Sequence, residues 1–70
     1  MEKSEANALL GTTSNASAVE VEDAYRKRAG EVRNRFEAER DLSLRRQYRR
    51  EFDALQEARD SLLSKLDAAS

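Results

Sequence analysis

The chain of 70 residues contains no cysteine, histidine, proline or tryptophan. The lack of cysteine excludes disulfide bonds and thiol nucleophiles, and the lack of both cysteine and histidine excludes the usual zinc ligand sets. Without histidine, the commonest general base of enzymes is missing, and nothing obvious activates the serine and threonine hydroxyls. We therefore expect a protein that is not an enzyme and that binds neither a metal ion nor a cofactor.

Long apolar runs are also missing from the sequence. The longest comprise two or three residues, as at 8–10, whereas a membrane-spanning helix needs about 20 consecutive apolar residues. The same shortness excludes the apolar region of a signal peptide. We therefore expect no membrane insertion and a cytoplasmic location, which the absence of cysteine also favours.

Glycine is scarce, and helix-forming residues take its place. Only two glycines occur among many Ala, Leu, Glu, Arg and Gln residues, a composition that favours helices. A chain of this length forms one small domain, here 1–70, with a core of about a dozen side chains. The sequence therefore predicts an all-α domain.

Start and stop signals divide the chain into three predicted helices, at 4–10, 18–38 and 43–67. Gly11 is placed to end the first helix, and the polar run TTSNAS after it is typical of a loop. Ser17 and Glu20 form a capping-box pattern, in which each side chain would bond the backbone N–H of the other residue. Asp41 or Ser43 would cap the third helix, although one continuous helix from 17 to 69 is an alternative.

Apolar side chains recur at three- and four-residue spacing in both long segments, which predicts that one stripe of each helix is buried. Pairing the stripes antiparallel places Val32 near Phe52 and Val21 near Leu62, and the first helix then closes the open end. Arg28 interrupts the stripe, so its stem either covers apolar surface or its charge widens a basic face. Gly30 either allows close helix approach or is simply tolerated.

Charge is distributed unevenly along the chain, although the net charge is only −1. Residues 26–50 contain ten bases and four acids, whereas residues 1–25 contain one base and five acids, and residues 51–70 contain two bases and five acids. The basic middle lies at the turn end of the predicted hairpin. It is either a solvated, salt-bridged surface or a docking site for something acidic.

Three segments in order resemble the J-domain (DnaJ-like) family. ALLG at 8–11 is similar to the end of that family's first helix, ASAVEVEDAYRKRA at 16–29 to its second helix, and FDALQEARDSLLS at 52–64 to its third-helix signature. The resemblance implies a J-domain-like three-helix fold, in which a short first helix packs on a long antiparallel helical hairpin.

The chain departs from the family at the residues that matter most for its activity. J-domains carry a His-Pro-Asp tripeptide, needed to stimulate ATP hydrolysis by DnaK-type chaperones, where this chain has Arg33, Asn34 and Arg35. Without the proline, we expect the helix to continue through Arg35 to Phe36. The resemblance therefore implies a degenerate J-domain that is unable to stimulate a chaperone ATPase, and that acts as a protein-interaction, adaptor or regulatory module.

The exposed bases of J-domain second helices face an acidic surface of the chaperone, which implies a contact face in this chain. The predicted partner-binding residues are Arg26, Lys27, Arg33 and Arg35. Their partner would be a protein with an acidic surface, namely a chaperone, a competent J-domain or an unrelated assembly partner. Surface ion pairs with Glu22, Glu31 and Glu37 would instead explain these bases without a partner.

A nucleic-acid-binding helical domain is the alternative function. The third predicted helix carries a dense basic cluster that could contact phosphates, formed by Arg45, Arg46, Arg49 and Arg50. The acidic isoelectric point, near 5.4, and the scarcity of aromatic residues for base stacking weigh against it.

Overall fold

The two long amphipathic segments fold into an antiparallel hairpin, and the short first segment packs on it. The computed structural model describes the backbone of residues 1–69 and the side chains of residues 1–66. Residues 1–69 form three helices and no strand: α1 (Lys3–Leu10), α2 (Ala18–Ala38) and α3 (Leu42–Ala69). The predicted all-α three-helix fold is confirmed, and the helix bounds differ from those predicted by at most two residues, as is usual at helix ends.

Gly11 ends α1 in the left-handed backbone conformation that glycine adopts without steric cost, with φ 72° and ψ 30°. In this conformation the backbone N–H groups of Gly11 and Thr12 both donate to the carbonyl of Asn7, at 2.7 and 3.0 Å. The Thr12 hydroxyl adds a hydrogen bond of 2.8 Å to Asn7 Oδ1. The helix stop predicted at this glycine is therefore confirmed, with the carbonyl of Asn7 satisfied.

Ser17 caps the start of α2, as the sequence predicts. Its hydroxyl accepts a hydrogen bond of 3.3 Å from the backbone N–H of Glu20. The reciprocal half of the predicted capping box is wrong, because Glu20 Oε1 accepts at 3.3 Å from the Ser17 hydroxyl and not from its backbone N–H. A hydroxyl can donate one bond and accept others, so Ser17 makes both contacts with one atom.

Two carboxylates hold the turn between α2 and α3 at Glu39–Asp41, with no help from proline or glycine. Glu39 Oε1 accepts from the backbone N–H groups of Arg40 and Asp41, both at 3.0 Å. Asp41 Oδ1 accepts from the N–H groups of Ser43 at 2.8 Å and Leu44 at 3.2 Å. Asp41 is thus the cap of α3, Ser43 is not, and the alternative of one continuous helix is wrong.

The core lies between the three helices and contains only apolar side chains among those described. Its buried members are Ala6, Leu10, Ala16, Val21, Ala29, Val32, Leu55, Ala58 and Leu62. The predicted pairing of the two stripes is observed: Val32 and Phe52 line one groove, and Val21 and Leu62 line another. Tyr25 also packs on Phe52, with ring centroids 6.5 Å apart.

α1 contacts mainly α3 and closes the open end of the hairpin. The Ser61 hydroxyl on α3 donates a hydrogen bond of 3.0 Å to the carbonyl of Met1, just before α1. Gly30 has no atom within 4 Å of the place where a β-carbon would lie, so it does not serve close helix packing. No helix within residues 1–69 combines the length and the apolar character needed to cross a membrane.

Candidate functional site

The four bases predicted to form a contact face are all exposed on α2 but do not lie together. Consecutive residues lie about 100° apart around a helix, so Arg33 and Arg35 point about 200° apart. Arg33 lines a groove with Phe36 and Phe52, whereas Arg35 lines a different groove with Leu9. Arg33 and Arg35 therefore lie on different sides of α2, and the contact role of Arg26, Lys27, Arg33 and Arg35 stays a prediction.

The predicted ion pairs on α2 are mostly absent among the described side chains. Only Arg33 has a partner, since its Nε lies 3.2 Å from Glu37 Oε1. Both side chains of that pair are more than half exposed, so it contributes little to stability. The remaining basic side chains of α2 are therefore available to contact solvent or a partner.

Residues 33–35 lie inside α2 and not in a loop. The helix continues through Phe36 to Ala38, as the absence of proline predicts. These three residues therefore lie on a regular helix, one turn before its end. Arg33 and Arg35 therefore diverge from each other instead of forming one contact.

Arg28 lies at the edge of the core, as its place in the apolar stripe predicts. Its side chain lines a groove with Leu9 and Val32, and its guanidinium lies against Gly11 at the end of α1. The stem therefore covers apolar surface while the charged group stays exposed.

The second predicted cluster is brought together at the end of the hairpin. Its four arginines line one groove of about 500 Å³ with two apolar residues, and we call this the arginine groove: Phe36, Leu42, Arg45, Arg46, Arg49 and Arg50. No carboxylate lines it, and none of the described carboxylates forms an ion pair with its arginines. The groove therefore combines concentrated positive charge with apolar surface.

Arg45 and Leu42 give the arginine groove its shape. The Arg45 guanidinium lies over the ring of Phe36, with Cζ 4.5 Å from the ring centroid, a cation–π contact that restrains the arginine. Leu42 is 71% exposed. The arginine groove therefore presents the exposed side chain of Leu42 together with the guanidinium of Arg45.

A second groove, of about 410 Å³, adjoins the first between α2 and α3. Its apolar lining is formed by Val32, Phe36, Tyr48 and Phe52, and we call it the apolar groove. Its rim carries charges of both signs, from Arg33, Glu37, Arg49 and Asp53. Because Phe36 and Arg49 line both grooves, the two form one continuous surface.

Sequence reasoning missed the apolar part of this site. The sequence pattern indicates Phe36 as a residue to which α2 continues, and it does not single out Leu42. A signal was present, because Leu42 and Leu44 are two residues apart and cannot share one face of a helix. One of them must therefore lie off the buried stripe, and both are exposed in the structure.

Arg59, nearer the other end of α3, forms an ion pair with Asp60. None of the arginines of the arginine groove forms an ion pair with a described carboxylate. The Arg59 guanidinium donates to Asp60 Oδ1 at 2.9 Å and lies 4.6 Å from the ring centroid of Tyr25. The hydrogen bond with Asp60 raises the pKa of Arg59 above its ordinary value.

Within the described side chains, no group of three or more Asp or Glu residues is arranged to hold a metal ion.

Comparison with known proteins gives no match, since no protein-family description, curated protein or solved structure matches the chain. The likeness to J-domains therefore depends on the three quoted sequence segments alone.

Proposed function

We propose that this chain is a non-catalytic protein-interaction module, similar to a J-domain without its His-Pro-Asp tripeptide, that binds an acidic protein surface through the end of its helical hairpin. The observation that supports this most is the arginine groove. Its arginines surround Phe36 and Leu42 with no described carboxylate to neutralise them. Arginine forms bidentate bonds with carboxylates, and exposed apolar surface beside it is typical of protein-binding sites.

The helical state of residues 33–35 supports the regulatory or adaptor role over a co-chaperone role. Arg33 pairs with Glu37 on the same helix, and Arg35 lines a different groove. This arrangement places no carboxylate at residues 33–35, where the resemblance would put the Asp of the J-domain tripeptide. We therefore expect the chain to leave the basal ATPase rate of a DnaK-type chaperone unchanged, in a steady-state assay with a competent J-domain as positive control.

Nucleic-acid binding is the second candidate, because four arginines lie close together on one helix and could contact successive phosphates. Single-strand binders also need exposed aromatic rings on which bases stack. The one aromatic ring in the arginine groove, Phe36, has a face occupied by Arg45. We therefore favour a protein partner.

Affinity capture with matched charge-reversal variants tests the proposed function. The chain would be immobilised as wild type, as Arg45→Glu/Arg49→Glu, and as Arg26→Glu/Lys27→Glu, which makes the same charge change outside the grooves. We expect nuclease-treated extract to yield one or more acidic proteins on the wild type and on the Arg26/Lys27 variant, but not on the Arg45/Arg49 variant. Loss of all bound material on nuclease treatment would favour nucleic acid and contradict the proposal.

A further inference from the structure

We infer that the two grooves together bind one short acidic segment of a partner protein, with a large apolar side chain in the apolar groove and carboxylates in the arginine groove. This inference rests on the proposed function and specifies the chemistry of the partner. It is supported by the continuity of the two grooves through Phe36 and Arg49, which allows one ligand to contact both grooves.

The apolar groove has the size and lining to accept one large side chain. Its volume of about 410 Å³ lies within the range of about 300–1,000 Å³ that is usual for ligand sites. Phe36, Tyr48 and Phe52 are only partly buried, so each keeps apolar surface that an incoming side chain could cover. Burying an aromatic or leucine side chain there would tighten binding by about tenfold or more.

The charges around the two grooves indicate which groove the carboxylates of the ligand would occupy. The rim of the apolar groove carries both signs, with Arg33 already paired to Glu37, so it offers no net preference for an acid. The arginine groove is lined by cations and apolar residues alone. Carboxylates of the ligand would therefore lie on the Leu42 side of its apolar anchor, against Arg45, Arg46 and Arg49.

Arg45 is prepared for this role by its contact with Phe36. A guanidinium restrained over an aromatic ring, here with Cζ 4.5 Å from the ring centroid, loses less conformational freedom when it binds a carboxylate. Its N–H groups remain available to donate hydrogen bonds to that carboxylate. A single acidic segment can thus use this restrained arginine and the neighbouring apolar groove together.

Titration of the isotope-labelled chain with a synthetic peptide tests this inference. The probe is a blocked peptide with one central Trp between runs of Glu, and its matched control replaces that Trp with Ser. A single-stranded oligonucleotide is titrated in parallel. The protein variants are Arg49→Glu and, as a control for overall charge, Arg26→Glu, which lies outside both grooves.

We expect the Trp peptide to shift the amide resonances of Phe36, Leu42 and Arg49. Replacing the Trp should weaken binding about tenfold or more, as the loss of one buried aromatic side chain predicts. Arg49→Glu should weaken it about tenfold through lost and reversed charge, while Arg26→Glu should change it little. Equal affinity for the two peptides, or tighter binding of the oligonucleotide at the same salt concentration, would overturn the inference.

The result of the peptide titration can be distinguished from that of the affinity capture, which tests the proposed function. If neither peptide binds but the Arg45→Glu/Arg49→Glu chain still loses its captured proteins, the inference is wrong and the proposed function stands. If the same proteins are captured by every variant, both are wrong.

Discussion

The guanidinium of Arg28 on α2 lies directly against Gly11, the residue that ends α1. A β-carbon built on Gly11 would lie 2.6 Å from Arg28 Nη2, closer than two such atoms can approach. A charged side chain thus covers the end of the first helix. The contact joins α1 to α2, which otherwise touch much less than α1 and α3 do.

Gly11→Ala should lower the free energy of unfolding by about 1–2 kcal/mol, because its φ of 72° is costly for a residue with a β-carbon. The exposed guanidinium of Arg28 can swing away, so the steric contribution should be small. Urea denaturation followed by circular dichroism measures the change. The same substitution in an Arg28→Ala background is the control, and a cost that disappears there would show that the clash, and not the backbone, is responsible.

Gly30→Ala should have the opposite effect and stabilise the fold by about 0.5–1 kcal/mol. Gly30 lies inside α2 with ordinary helical backbone and open space where its β-carbon would be, so alanine gains helix propensity without a clash. The urea midpoint should rise with an unchanged slope. A fall in the midpoint would mean that Gly30 has a packing role that the structure does not show.

Asp41→Ala should destabilise the chain by about 1 kcal/mol through loss of the cap of α3. Its carboxylate accepts from two backbone N–H groups, at 2.8 and 3.2 Å, and alanine would leave both without that partner. Asp41→Asn keeps an accepting oxygen and should cost markedly less. Equal losses in the two variants, measured by thermal unfolding, would contradict the capping role.

Leu62→Ala should remove about 2–5 kcal/mol, the usual range for a buried leucine. Leu62 is 4% exposed in the core, and a domain of this size has only about 4–10 kcal/mol of total stability. We expect a clearly lower thermal midpoint, measured by circular dichroism. Leu63→Ala is the matched control, because Leu63 is only partly buried and its loss should cost much less.

The fold was predictable because its signals are local. Helical periodicity, the cap at Ser17 and the stop at Gly11 each act within a few residues, and each is observed. The turn was less predictable, since it depends on Glu39 bonding the backbone of the two following residues, a contact with no strong sequence signature. Only Asp41 was recognised there, as one of two possible caps.

The site was harder to predict than the fold because it depends on how two helices face each other. The family resemblance grouped four bases on α2, but helical geometry sends Arg33 and Arg35 into different grooves. The cluster on α3 was recognised from spacing alone. Its apolar neighbours were not, because Phe36 reaches it from α2 and Leu42 lies off the buried stripe.

The packing of the short helix α1 on α3 determines which part of the protein should unfold first. An isolated helix shorter than about 12–15 residues is marginal in water, and α1 has only 8, so it is helical only while it contacts α3. Its backbone amides should therefore exchange with deuterium through detachment of α1 as a unit, well before those in the middle of α2 and α3. Equal protection in all three helices would show that α1 and the hairpin unfold as one cooperative unit.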